Sequence, residues 1–458
     1  MAGMGFELRK ILRRDSFSST MWAYVYAGIN SAGPLLLSIV GILLIGLISL
    51  PMMNQPVRIV QFQVSVTYLI AASLIITGAV QLLFTRFISD RLFQRRPKRV
   101  LPSYNAVCLV TTAVTGFLGL ILAITLFKDE SVAYRILMLM GFVILSNVWI
   151  GVIFLASIKQ YKVILLAFFV GYLITVIFAV LLNFLGLEGL LGGFVIGHLV
   201  LLTMLVNLIN HNYYSEYYIS WDVFDRRFAY PSLIFVGLLF NLGVWLDKFM
   251  FWFSATGQTV IGPLRASVIY DIPVFIAYLC IIPGLAVFLL RLETDFMKHY
   301  ADFYKTIRTG GTLDEIQIIR NNMVSSGRAS LYEIIKIQAV VTLLIFAFGD
   351  KLLRLIGIST LYLPLLKIDV IAASLQILFL GILNFFFYLD SRRTVLILTA
   401  IFVVLNGLLT WITLYLGPDT YGYGFAGALL FVVLLGVYLL DRQFEILEYK
   451  TYMLQKNS

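Results

Sequence analysis

The sequence predicts an all-α polytopic membrane protein of about twelve transmembrane helices, on the strength of three observations. Apolar stretches of bilayer length recur along the 458 residues, among them 22–50, 59–84, 101–127 and 421–440. Hydrophobic residues make up 60% of the chain and the mean hydropathy is +0.94, far above the roughly 45 to 50% apolar content of soluble domains. Cations gather in alternate loops between the apolar runs. A span needs about 20 mostly apolar residues, and in lipid each backbone polar group must be satisfied internally, so runs of this length are read as helices.

Taken in order, the first run at 22–50 is too long for the roughly 7 to 15 apolar residues of a signal peptide, and no small-x-small cleavage signal follows it. It is expected to stay as the first span. Further spans are expected at 59–85, 101–127, 134–158, 163–185 and 187–210, then at 230–254, 264–290, 331–349, 361–388, 395–416 and 421–440. One set of loops carries Arg9, Lys10, Arg13 and Arg14, then Arg91, Arg95, Arg96, Lys98 and Arg99, then Lys159, Lys162, Arg226, Arg227, Arg392 and Arg393. The opposite set holds scattered cations such as Arg58, Lys128, Lys351 and Arg354. The positive-inside rule then puts both termini in the cytoplasm. The net charge of +10 is mostly this topology signal and not a nucleic-acid footprint.

Loops on the outer side, such as 51–57 and 255–262, are too short to hold a catalytic domain. Cys108 and Cys280 fall within expected spans without CxxC spacing and read as small apolar packing residues. His198, His211 and His299 are far apart in sequence, which argues against a zinc site. No metal or other cofactor is implied.

The longest polar stretch, 291–330, reads as a cytoplasmic amphipathic hairpin. Phe296, Tyr300, Phe303, Tyr304 and Ile307 recur at helical spacing, Gly310-Gly311 breaks the helix, and Thr312-Leu-Asp-Glu315 is a capping box. The box is expected to open a short second helix through Ile316, Ile319 and Met323. The hairpin is expected to lie against the membrane face, with docking of a cytoplasmic partner as the alternative.

Two halves are legible as a repeat. Leu185-Gly186 is followed seven residues after its glycine by Gly193-Phe194, and Leu416-Gly417 by Gly424-Phe425 at the same interval, each at the sixth span of its half. The halves are expected to be 1–212, with helices one to six, and 213–458, with helices seven to twelve. Gly189, Gly193 and Gly197 form a small-xxx-small face for close helix approach. Gly33-Pro34 in the first span, and Pro273 and Pro283-Gly284 in the eighth, are expected to break or kink their helices.

Charge is uneven between the halves. Through the first six spans it sits only near the ends, as at Arg86 and Arg135, whereas Asp247, Lys248, Arg265, Asp271, Glu333, Lys336, Lys367 and Asp369 lie in or near later spans. Charges in a bilayer are costly and usually face the interior in pairs. Asp247, Lys248, Arg265 and Asp271 are therefore the candidate transport or gating residues. Asp247 and Lys248 are adjacent, about 100° apart on a helix, and are expected not to pair with each other, whereas a Lys248 to Asp271 bridge between neighbouring spans fits their depths. Lys336 with Glu333, and Lys367 with Asp369, are expected to snorkel. Asn30, Asn105, Asn147, Asn183 and His198 are candidates for contact with sugar hydroxyls, against the plainer reading of satisfied packing polars.

Several stretches carry a family resemblance. Met1-Ala2-Gly3-Met4-Gly5-Phe6-Glu7-Leu8-Arg9-Lys10, Ala23-Tyr24-Val25-Tyr26-Ala27-Gly28 and Ser31-Ala32-Gly33-Pro34 resemble the opening of the PelG family, inner-membrane transporters of the bacterial Pel exopolysaccharide. Trp245-Leu246-Asp247-Lys248, Tyr270-Asp271-Ile272-Pro273 and Leu292-Glu293-Thr294-Asp295-Phe296 resemble its second half, and Met4 stands where isoleucine is expected. The resemblance implies the multidrug, oligosaccharidyl-lipid and polysaccharide flippase superfamily: two six-helix lobes around a central cavity, working by alternating access. It also implies a cytoplasmic glycosyltransferase and a cyclic di-GMP-sensing membrane subunit as partners. Two other functions stay open: a cation-coupled small-molecule exporter of the same fold, and a membrane-embedded acyltransferase or polymer ligase. For the latter the sequence offers no convergent His, Asp or Ser set.

Overall fold

The computed structural model describes residues 8, 10–11, 16–49, 57–225 and 230–453. Arg9, Arg13, Arg14, Arg226 and Arg227, most of the amino-terminal motif and most of the loop 51–57 lie outside the described residues. Among those described, twelve helical runs are long and apolar enough to cross a membrane. They are α1 (Phe17–Ser49), α2 (Val57–Phe93), α3 (Val100–Thr125), α4 (Val132–Ser157), α5 (Tyr161–Leu181), α6 (Leu187–Asn212) and α7 (Pro231–Trp252), then one broken span, then α11 (Leu313–Ile356), α12 (Leu363–Tyr388), α13 (Arg392–Leu416) and α14 (Tyr423–Glu445). A short α15 (Leu447–Met453) closes the order.

The broken run is the eighth span. It consists of α8 (Val268–Leu279) and α9 (Ile282–Arg291), a π-helical turn at Leu292–Phe296, and α10 (Met297–Arg308). Pro283 explains the break, because proline lacks an N–H and is best accommodated in the first turn of a new helix. The expected start at residue 264 is corrected: 258–266 forms a two-stranded hairpin instead. Strand β1 (Gln258–Ile261) pairs antiparallel with β2 (Leu264–Ala266), with Gln258 opposite Ala266 and Thr259 opposite Arg265. Gly262, at φ +48°, supplies the left-handed turn residue.

A second correction concerns the ninth span. The short helix expected after the capping box and the span at 331–349 are one helix, α11, of 44 residues, about 66 Å at 1.5 Å per residue. The box is formed as expected: the Glu315 amide donates to Thr312 Oγ1 at 3.3 Å, and the Thr312 amide donates to Glu315 Oε2 at 2.9 Å. No proline interrupts the helix beyond it. Gly327 is buried facing Phe296, Phe385 and Phe444, and a glycine so packed does not end a helix. Part of the apolar face of the 291–330 hairpin packs inside the protein, while Leu313 and Ile318 stay exposed, at 63% and 60%. Phe296, Phe303 and Met323 are fully buried, Phe296 stacks edge-on to Phe385 at 4.7 Å, and the Tyr300 hydroxyl donates to the Tyr388 carbonyl at 3.1 Å.

The chain divides into two compact units, Gly33–Ser267 and Met1–Ala32 with Val268–Ser458. The division falls within α1, immediately before Gly33-Pro34. In the first unit α7 packs on α2, where the backbones meet at Gly78 and Gly237: a Cβ added to Gly78 would stand 2.6 Å from the Gly237 carbonyl oxygen. Tyr68 and Trp252 add a ring contact at 4.6 Å, and Gln61 Nε2 donates to the Val260 carbonyl of the hairpin at 3.2 Å. Compactness thus draws a different boundary from the repeat division at 212/213, because the seventh span is held by the second.

The repeat itself has a structural counterpart in each unit. Gly186 (φ +71°) and Gly417 (φ +105°) both take the left-handed conformation in the turn between the fifth and sixth spans of their halves. Gly193 lies against the backbone of Ala179 on α5, and Gly424 against the backbone of Thr410 on α13. Gly189 and Gly197 likewise meet Leu182 and Thr175, so the small-residue face of α6 is the surface on which α5 rests.

Candidate transport site

Asp247 and Lys248, on α7, are both buried, at 0% and 4% exposure. Contrary to the expectation from their adjacency, they pair with each other. The Lys248 ammonium donates to Asp247 Oδ1 at 3.2 Å, to Oδ2 at 3.1 Å and to the Val244 carbonyl at 2.9 Å. An angular offset of about 100° separates two short side chains, but the four-carbon stem of lysine folds back over one turn and brings its charge alongside. The Val244 carbonyl one turn earlier accepts a further hydrogen bond from the ammonium, as a desolvated cation requires.

Arg265, on β2, is half-buried and ties the hairpin to the end of α7. Its Nη2 donates to the Gly257 carbonyl at 2.6 Å, while its backbone is held from the other side: Tyr68 donates its hydroxyl proton to the Arg265 carbonyl at 2.9 Å. This geometry holds a loop. Asp271 lies in the first turn of α8, where the free N–H groups of a helix start favour a carboxylate. Asp271 belongs to the other compact unit from Lys248.

The neutral candidates are dispersed. Asn30 donates to the Tyr26 carbonyl at 2.7 Å on α1. Asn105 donates to the Tyr218 carbonyl at 2.8 Å, fastening the start of α3 to the segment after α6. Asn147 bridges α4 to α3 by donating to Thr112 Oγ1 and to its own Val143 carbonyl, both at 2.9 Å. Asn183 is buried in the turn after α5. His198 is 2% exposed, with Nδ1 2.9 Å from the Phe194 carbonyl, Nε2 3.3 Å from the Tyr172 hydroxyl, and its ring over Phe194. Asn30, Asn105, Asn147 and His198 are thus each engaged by a partner in the fold. The carbonyl oxygens of Asn30, Asn147 and Asn183 keep acceptor capacity.

Other charges resolve into local roles. Lys336 bridges Glu333 at 3.5 Å and lies 4.4 Å from the Tyr332 ring, and Arg291 bonds Asp295 at 2.8 Å. Lys367 lies 5.2 Å from the Phe346 ring, but Asp369 does not snorkel as expected. It is 3% exposed, and its carboxylate lies against Gly422 at the start of α14. Sequence reasoning passed over Asp369 because a carboxylate seven residues into a span reads as interfacial. The signal that marks it is Gly422, 53 residues later and brought near only by packing. Among the described residues no group of three or more His, Cys, Asp or Glu is placed to hold a metal ion.

The arrangement of twelve spans, one of them broken, has counterparts among solved structures. An outward-facing multidrug resistance MATE family transporter of the MOP superfamily superposes with a TM-score of 0.69 at 12% identity, covering 93% of this chain and 96% of that one. A MOP superfamily transporter from Pyrococcus furiosus gives 0.59 at 13% identity with the same coverage. A MATE structure in its straight conformation gives 0.61 at 14% identity, again covering 93% and 96%. The protein therefore has the fold of the MOP superfamily transporters. Residues 1–452 match the family described as "PelG: Putative exopolysaccharide Exporter (EPS-E)". The chain belongs to the PelG family, membrane transporters of exopolysaccharide. No curated protein matches it in sequence.

Proposed function

We propose that this protein exports a Pel-type polysaccharide across the bacterial inner membrane by alternating access, with both termini in the cytoplasm, and carries out no covalent chemistry itself. The observation that carries the reading is the PelG family match over residues 1–452 on a MOP transporter fold. The cation-rich loops around Arg95 and Arg392 support the orientation. A cytoplasmic glycosyltransferase would hand over the growing chain, and a cyclic di-GMP-sensing membrane subunit would regulate it. The low charge of the first six spans suits a neutral sugar chain better than a cationic drug.

Within this reading Asp271 is the gating carboxylate, at a helix start where its charge is favoured. Asp247 and Lys248 hold α7, and Arg265 holds the hairpin, as the supporting frame. Asn30, Asn147 and Asn183, with acceptor oxygens to spare, are the proposed sugar-hydroxyl contacts, and Asn105 and His198 position their helices. The test is deletion of the gene with fractionation of the polymer. Polymer trapped in the cytoplasm is expected; normal secretion with altered drug susceptibility would instead favour the small-molecule exporter.

A further inference from the structure

Arg135 is the fourth residue of α4, about 5 Å along the helix from its start. It lines a cavity of about 180 Å³ between α2, α3, α4 and the hairpin, whose other walls include Ala72, Leu122, Ala123, Leu126 and Phe142. Arg135 is the one charged residue among those walls. Its Nε is buried without a hydrogen-bond partner. Nearby carboxylates are turned elsewhere: Glu188 accepts from Ser131 Oγ at 2.9 Å, and Glu130 lies over Gly262.

The space is smaller than the roughly 300 to 1,000 Å³ of a drug-sized ligand site, so it takes only a segment of an apolar chain, and its walls are too apolar for a sugar. Leu122, Leu126 and Phe253 at its rim are exposed, at 39%, 54% and 57%, so the cavity opens on a surface that lipid covers. A guanidinium near the end of a span reaches the headgroup level, and its planar donors match a phosphate. Apolar walls deeper in the bilayer and one unpaired cation at the interface are complementary to an acyl chain and an anionic headgroup.

We propose that this cavity holds the headgroup-proximal part of one acyl chain of an anionic phospholipid whose phosphate is bound by Arg135. The test is native mass spectrometry of the full-length protein in non-ionic detergent, titrated with phosphatidylglycerol or with phosphatidylcholine of the same chains. Both lipids offer a phosphate, but only in phosphatidylcholine does a choline cation offset its charge beside Arg135, so wild type is expected to bind phosphatidylglycerol at least about tenfold more tightly, a difference of about 1.4 kcal/mol. Arg135→Gln is expected to abolish that preference, and Ala123→Trp, which fills the cavity and leaves the cation in place, to weaken binding of both lipids. Glycerol phosphate, which has no chains, is expected not to displace the bound lipid. Persistence of the preference in Arg135→Gln, unchanged binding in Ala123→Trp, or displacement by glycerol phosphate would each overturn the proposal.

Discussion

At the scale of single residues, the Asp247 and Lys248 pair shows how a bilayer protein tolerates charge: both groups are buried and satisfied within one turn of α7. Removing one partner of such a pair strands the other and costs about 3–5 kcal/mol. Asp247→Asn and Lys248→Gln are each expected to lose membrane abundance on immunoblotting, and the double substitution to regain most of it. Loss of abundance in the double as well would show that the pair does more than neutralise itself. Asp271→Asn is expected to behave differently, with normal abundance and impaired polymer export, because its carboxylate is half-buried at a helix start. Normal export by that variant would remove Asp271 from the gating role. Gly422 holds φ +85° with the Asp369 carboxylate beside it. Gly422→Ala is expected to lower the melting temperature of the purified protein, since a left-handed non-glycine residue costs about 1–2 kcal/mol before any clash is counted.

Among the elements, close helix approach at glycine recurs in both halves. A side chain at Gly193 would collide with the Ala179 backbone and one at Gly197 with Thr175, so Gly193→Leu is expected to separate α5 from α6 and abolish accumulation. Gly192→Leu is expected to be tolerated, because the nearest atom to an added Cβ there is a side-chain methyl of Leu182 at 3.7 Å. Equal accumulation of the two variants would overturn the assignment of the packing face. The capping box of α11 is exposed, so Thr312→Ala should cost only about 1 kcal/mol. Faster amide hydrogen exchange over 313–320, with unchanged exchange near Ile345, is the expected signature of local fraying.

For the whole molecule, the distribution of cations makes the topology testable. Single cysteines near Arg95 or Arg392 are expected to resist a membrane-impermeant thiol reagent in intact cells, and ones near Gln258 or Asp419 to react. The reverse pattern would invert the orientation and, with it, the direction of transport assigned here.

Span number, the capping box, the glycine face of α6 and the family were legible in the sequence because each rests on local spacing: twenty apolar residues, Thr and Glu three apart, glycines four apart, short runs of matching residues. What tertiary structure decided depends on residues distant in sequence or on side-chain reach. The seventh span joins the second because Gly78 and Gly237, 159 positions apart, let two backbones touch. The strands at 258–266 exist because the Tyr68 hydroxyl and Gln61 receive them, and a run of seven to nine mixed residues carries no signal of that. Periodicity gives the direction in which a side chain leaves its helix but not where a long one ends, and for that reason the Lys248 ammonium was found on its own neighbour. Asp369 became a buried carboxylate only once α14 began against it.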